Sequence, residues 1–197
     1  MLGEFLGLNY IIKEGDHHNY TISIGNSILE IGNQFFISRH ERSYFTKKHL
    51  PFRKKFIDYG SLGDNIPVMF GSSHFEISKD KIYIDQDLFA FAFFMLTRWE
   101  EIVETDKDEH NRSQAKNSIA YKWGFLDRPI VDEICDLIWT SLVHLGYTGE
   151  RKERDFKLLH THDVDEIQKW DSGKTARKTI AGDLIKRKSA KLAKENL

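Results

Sequence analysis

The sequence has little of several features that would narrow its function at once. It has a single cysteine, Cys135, which excludes an internal disulfide. No apolar run is long enough to span a bilayer, and the first twelve residues contain an acidic residue but no basic one, which is atypical of a secretion signal. The net charge of −1 predicts neither a nucleic acid nor a membrane surface as partner. We therefore expect a protein of a reducing, cytoplasmic compartment.

The composition is that of a folded protein with an uneven distribution of charge. The 197 residues are 40% hydrophobic and 13% aromatic, enough for one domain, or one domain and part of another. Residues 166–197 carry nine Lys and Arg side chains against four acidic ones. A solvated amphipathic helix is the simpler interpretation of this basic tail. Nucleic-acid binding is the less favoured alternative, because no aromatic platform accompanies the charge.

The first half of the chain predicts a small sheet. In HNYTISIGN, Tyr20, Ile22 and Ile24 fall on one face of a strand, and a Gly-Asn turn signal follows. A second apolar run, NQFFIS, follows Gly32, and NIPVMFG resembles a short buried strand. HFEISKDKIYID predicts a hairpin with apolar residues on both arms. The basic and aromatic segment RHERSYFTKKHLPFRKKF is interpreted as an irregular, partly exposed connection.

Three segments predict helices. DQDLFAFAFFMLTRWEEIVE begins with Asp85 or Asp87 as the N-cap, and its apolar first half predicts burial. RPIVDEICDLIWTSLVHLGY has Pro129 at the expected first helical position and Gly146 beyond the end. Cys135 falls on the apolar face of this helix, which predicts a buried, unreactive thiol. A final helix is expected over TARKTIAGDLIKRKSAKLAKENL.

A cluster of ionisable residues follows the apolar run in FKLLHTHDVDE. Asp163 and Asp165 are two residues apart, so at the end of a strand both carboxylates would point to one side. Two carboxylates that share a site do not both ionise cheaply, so either one keeps a proton or a cation lies between them. With imidazole nearby they suit zinc or another divalent ion. The alternative is a surface loop without function, in which this spacing also occurs.

Two other polar clusters are candidates of lower rank. Asp108, His110 and Arg112 lie in a polar segment, DKDEHNRS, for which a solvated loop is favoured over an ion site. Arg98 and Trp99, followed by two glutamates, are interpreted as the source of interdomain salt bridges and a tryptophan anchor.

The motif THDVD, Thr161 to Asp165, resembles the first motif of the NodB-homology polysaccharide deacetylases, which are metal-dependent esterases. Longer stretches resemble the N-terminal domain of unknown function that precedes the deacetylase domain in a bacterial subgroup of that family. These stretches are FLGLNY, IPVMFG, FAFAFFMLTRWEE, SIAYKWGFLDRPIVDEI and IAGDLIKRKSAKLA. The agreement through FFMLTRWEE and KWGFLDRP is more specific than the five-residue motif.

The resemblance implies a role for each residue of the motif. Asp163 would be the general base that activates a metal-bound water, and Asp165 would be a metal ligand. His162 stands where the family often has Phe, so it is either a packed side chain or a partner of the metal ligands. The implied cofactor is zinc or another divalent metal, and the implied reaction is hydrolysis of N- or O-acetyl groups on a carbohydrate polymer.

The sequence departs from the family pattern at the second motif. That motif is a pair of histidines four residues apart, whereas none of the nine histidines here has such a partner and none follows His162. Because tight zinc sites need three or four ligands, we expect this chain to bind no metal tightly and to be inactive alone.

The fold class expected is α/β, with a small mixed sheet and packed helices. Residues 1–150 would form the accessory domain, and residues 151–197 a linker with the first strand and helix of an incomplete deacetylase-type (β/α) barrel. FKLLHTH is expected either to join the N-terminal sheet or to be poorly ordered. The alternative function is a non-catalytic accessory or interaction module of a polysaccharide-biosynthesis system. The polymer and the oligomeric state stay open.

Overall fold

The computed structural model describes residues 1–15, 18–36, 45–153, 155–163, 170 and 172–196. The chain divides into two compact units, Met1–Glu153 and Arg154–Leu197. The described strands are β1 (Tyr20–Ile24), β2 (Ser27–Ile31), β3 (Phe56–Ile57), β4 (Ile66–Pro67), β5 (Phe75–Ile77) and β6 (Lys81–Ile84). The described α-helices are α1 (Leu2–Leu6), α2 (Leu88–Thr97), α3 (Trp99–Val103), α4 (Ile119–Trp123), α5 (Ile130–His144), α6 (Gly173–Ile185) and α7 (Ala190–Glu195).

The first unit is built on a small mixed sheet, which confirms the expected α/β class. The strand order is β1-β2-β6-β5, with antiparallel pairs at both edges and a parallel β2–β6 pair in the centre. Leu29 lies opposite Ile82 and Ile31 opposite Ile84 in the central pair, and all four side chains are buried. The predicted hairpin is present as β5 and β6. Strands β3 and β4 form a separate two-stranded sheet.

The strand that follows β1 differs from the predicted one. The strand is β2, Ser27–Ile31, whereas residues 34–36 of the run NQFFIS form a turn and residues 37 and 38 lie outside the described residues. The Phe35 amide donates to the Asp87 carboxylate (3.1 Å), and its ring is buried in the core. The apolar run therefore marks buried side chains on a turn instead of a strand.

The helix predicted over residues 85–104 is divided into α2 and α3. Asp87 is the N-cap, and its carboxylate accepts from the Ala90 amide at 2.8 Å. Arg98 adopts a left-handed conformation (φ 50°), which ends α2 and begins α3. Most of the apolar first half is buried, as the sequence predicts.

Helix α5 has the buried stripe that its periodicity predicts. Ile134 and Ile138 are fully buried, and so is Cys135, whose thiol pKa is raised by burial, as an unreactive thiol requires. Pro129 lies one position earlier than expected, at the N-cap, since its ψ of 61° is not helical.

The second unit has no strand among its described residues. Residues 155–163 carry no regular secondary structure, so the barrel strand expected over FKLLHTH is not formed there and does not join the N-terminal sheet. Phe156 is 89% exposed. The final helix is present as two helices, α6 and α7, and the carboxylate of Asp183 accepts from Arg187 (2.7 Å) and Asn196 (2.6 Å). None of the described helices has the length and apolarity to cross a membrane.

Candidate functional site

The residues of the THDVD motif are not assembled into a site within the described part of the chain. His162 and Asp163 are exposed, and neither forms a hydrogen bond or ion pair with another described residue. Asp165, the expected metal ligand, lies outside the described residues. Within the described ranges, no group of three or more His, Cys, Asp or Glu side chains converges as a metal site requires.

The second polar cluster forms a stabilised turn. The Asp108 carboxylate accepts from the amides of His110 (2.9 Å) and Arg112 (2.8 Å) and from the Arg112 guanidinium (2.9 Å). These bonds hold the pKa of Asp108 below its ordinary value. Asn111 adopts a left-handed conformation at φ 60°. The arrangement satisfies Asp108 within the loop.

Arg98 and Trp99 have separate structural roles. The Arg98 guanidinium pairs with Glu101 of the next turn, which is a local contact within the first unit. The interdomain salt bridges stay a prediction. The Trp99 ring is buried and lies 4.8 Å from the Phe35 ring and 5.4 Å from the Phe94 ring, centroid to centroid. Trp99 thus anchors the core of the first unit.

The C-terminal end of β6 joins three distant parts of the chain. Asp85 accepts from the Tyr83 hydroxyl (2.7 Å), the Gln34 side-chain amide (3.1 Å) and the Ser72 backbone amide (2.8 Å). The next residue, Gln86, is fully buried, accepts from Tyr59 (3.0 Å) and donates to a backbone carbonyl at 2.7 Å. We call Asp85, Gln86 and Asp87 the acidic junction.

The acidic junction fixes the backbone of the segment 71–73. Gly71 has φ 90°, and a Cβ there would lie 2.5 Å from the carbonyl oxygen of Asp85. A side chain is therefore excluded on grounds of both conformation and space. The Ser72 amide donates to the Asp85 carboxylate. This segment forms a wall of a groove on whose other side residues 48–55 lie.

An open groove of about 450 Å3 lies between this wall and residues 48–55. Its lining includes four basic side chains and no Asp or Glu among the described residues. The basic side chains are Lys48, His49, Arg53 and Lys55. Lys48, Arg53 and Lys55 form no ion pair with any described residue, whereas the neighbouring Lys47 pairs with Glu104 at 3.3 Å. We call this feature the basic groove.

No sequence motif marks the basic groove as a functional site. The segment FTKKHLPFRKK contains five Lys or Arg residues and no acidic residue, and this local excess was the available signal. The opposite wall could not be found in that way, because Ser72 and Ser73 are common surface residues. Only the fold brings them to the groove.

The comparisons with known proteins identify a family. No curated protein matches the chain, and no solved structure matches it. The sequence model of a family of unknown function, DUF7033, matches residues 1–147. The match covers most of the first unit, including the acidic junction and the basic groove, and ends before the THDVD motif. The chain belongs to the family of unknown function DUF7033.

Proposed function

We propose that this chain is the N-terminal part of a metal-dependent polysaccharide deacetylase-like protein, in which Met1–Glu153 is a non-catalytic accessory module. One observation carries the proposal. The family match and the packed first unit both end before Thr161, so the residues that resemble deacetylase chemistry lie outside the module. The resemblance of THDVD to the first deacetylase motif supports the carbohydrate context.

The residues present do not fit a zinc site by themselves. The motif supplies two carboxylates and one histidine, and the two of these residues that the structure describes, His162 and Asp163, point into solvent without partners among the described residues. Zinc requires three or four converging ligands. A partner pair of histidines four apart is not among these 197 residues. We therefore assign no catalytic step to this chain. Asp163 would act as the base and Asp165 as a metal ligand only together with the other metal ligands of a deacetylase domain.

The proposal is tested by metal binding and acetate release together. Calorimetric titration of the 197-residue protein with zinc should show no binding at micromolar or tighter affinity that depends on Asp165. Incubation with an N-acetylated oligosaccharide and zinc should release no acetate above the buffer rate. Asp155→Asn is the matched control, since Asp155 is an exposed carboxylate in the same segment.

The contrary result is equally specific. Acetate release by the purified chain that is lost in Asp163→Asn and Asp165→Ala, but kept in Asp155→Asn, would show a working active site. The chain would then be an active deacetylase by itself, and the proposal that it is inactive without further residues would be wrong.

A further inference from the structure

The charge of the basic groove is not balanced by an acidic side chain among the described residues that line it. Lys48, Arg53 and Lys55 line one groove, and no carboxylate of the described residues lies in the lining. Like charges gathered in a cleft repel each other and focus a positive potential into it. A bound anion removes this repulsion. The groove is therefore suited to a ligand that carries carboxylate or phosphate.

The wall of the groove offers hydrogen-bond donors beside the cations. The Ser73 hydroxyl contacts the Lys55 ammonium, which fixes the position of that cation. The Ser72 hydroxyl accepts from the His74 amide at 3.1 Å and keeps its own proton for donation. The Asp85 carboxylate accepts from the Ser72 amide, so the backbone that carries these hydroxyls is positioned by the protein itself. Donors of this kind suit sugar hydroxyls as well as an oxyanion.

An exposed aromatic ring completes the groove. Phe52 is 82% exposed, and the Arg53 guanidinium lies 5.3 Å from the centroid of its ring. Both residues line the groove, so a ligand there would have access to the ring and to the cation. The face of an aromatic ring is partially negative and attracts the C–H groups of a sugar ring. Phe52 and Arg53 can thus contact a ring and its acidic substituent together.

We propose that the basic groove binds an acidic saccharide, a sugar that carries a carboxylate or phosphate group. The requirement for an anion rests on the groove alone, and the saccharide part rests on the proposed function. A nucleic acid fits less well, because it needs an extended positive surface and several stacking platforms. This protein has a net charge of −1, and the groove has one strongly exposed ring.

The test is an NMR titration of the isotope-labelled 197-residue protein. The probes are trigalacturonate, the neutral chitotriose, inorganic phosphate and a short oligothymidylate. Trigalacturonate should shift the amide signals of Arg53, Gly71, Ser72 and Ser73 to saturation. Chitotriose should leave them unchanged at the same concentration. Phosphate and oligothymidylate should bind more weakly than trigalacturonate.

Two substitutions reverse the charge at different places in the groove. Arg53→Glu and, separately, Lys48→Glu should each weaken trigalacturonate binding about tenfold or more, since a charge-assisted hydrogen bond is lost. Both side chains are exposed, so the fold should persist, and thermal unfolding checks this. Lys79→Glu is the matched control. It makes the same charge change at an exposed lysine between β5 and β6 and should leave affinity unchanged.

Each other outcome overturns a defined part of the inference. Chitotriose binding as tight as that of trigalacturonate would contradict the anion site. The same would follow if Lys79→Glu weakened trigalacturonate binding as much as the groove substitutions do. The saccharide assignment would be contradicted if phosphate bound as tightly as trigalacturonate, or if oligothymidylate bound more tightly. Acetate release does not enter this test. The anion-binding hypothesis can therefore be contradicted while the accessory role is kept. Equally, the deacetylase context can be contradicted while the anion site is kept.

Discussion

Asp85 and Asp87 lie two residues apart in the acidic junction, and their pKa values are shifted in opposite directions. Burial raises the pKa of Asp87, and the amides of Ala90 and Phe35 that donate to it only reduce this effect. Burial also raises the pKa of Asp85, but hydrogen bonds from Tyr83, Ser72 and Gln34 outweigh it and leave the pKa below its ordinary value. Asp85 is thus held as a carboxylate, and Asp87 contributes most stability at low pH.

Only one of these two roles could be predicted from the sequence. Asp87 stands directly before an apolar helical run, which is the usual position of an N-cap. The partners of Asp85 are its close neighbour Tyr83 and two residues far away in the sequence, Gln34 and Ser72. No local sequence pattern predicts that Gln34 and Ser72 contact Asp85, because these contacts depend on the path of the chain between β2 and β6.

Tyr83 gives a direct measure of the Asp85 charge. The hydrogen bond to Asp85 raises the pKa of Tyr83 to about 12, since the carboxylate opposes formation of a phenolate. In Asp85→Asn this pKa should fall towards the ordinary value of about 10. An NMR titration of the Tyr83 ring measures it. In the parent protein the stability from this bond is complete below pH 10 or so and is lost as the pH rises through about 12.

A matched control separates the hydrogen bond from general charge. Glu76 also raises the pKa of Tyr83, but only through its charge and as a smaller cause. Glu76→Gln should therefore leave most of the shift in place. If Glu76→Gln lowers the Tyr83 pKa as far as Asp85→Asn does, the bond at 2.7 Å is not the main cause.

At the scale of elements, periodicity located the hairpin and helix α5 but not β2. Strand β2 is central, with Leu29 and Ile31 buried, yet its short sequence SILEI lies between turn signals and the more apolar run NQFF. The break at Arg98 also has no signal in the sequence, since FFMLTRWEE reads as a continuous helix. Both features depend on packing, which the local pattern does not contain.

The central strand pair is brought close by a glycine. The Gly32 amide donates to the Ile84 carbonyl at 2.8 Å, and a Cβ at Gly32 would overlap the carbonyl oxygen of Asp85. We expect Gly32→Ala to lower the free energy of unfolding by about 3 kcal/mol, because main chain must move. Urea unfolding measures this. Gly3→Ala is the control, since its Cβ would meet only ordinary contacts at 3.6 Å, and it should change stability by less than about 1 kcal/mol.

A loss in Gly32→Ala no greater than in Gly3→Ala would mean that the close approach of Gly32 to Asp85 is not required. The acidic junction would then be able to relax around a side chain. Its role as a rigid support for the groove wall would be contradicted as well.

At the scale of the whole molecule, the α/β class and the presence of a core followed from composition and periodicity. The site did not follow in the same way. The sequence directed attention to His162, Asp163 and Asp165, whose surroundings would have to come from residues beyond the motif. The basic groove instead combines residues 48–55 and 68–73 with Gln34 and Phe35, and none of these segments has a motif. Sequence patterns reveal ligands that lie close together along the chain, and they miss surfaces that the fold assembles.

The central claim is that Met1–Glu153 is a self-contained module. Its core extends from Leu6 to Leu145, so the module should not need the THDVD segment in order to fold. The most direct test is thermal unfolding of a polypeptide of residues 1–153 beside the 197-residue protein, followed by circular dichroism. We predict a cooperative transition with a midpoint within about 3 °C of that of the first unit in the longer protein. A fragment without a cooperative transition, or with a midpoint lower by about 10 °C or more, would contradict the claim.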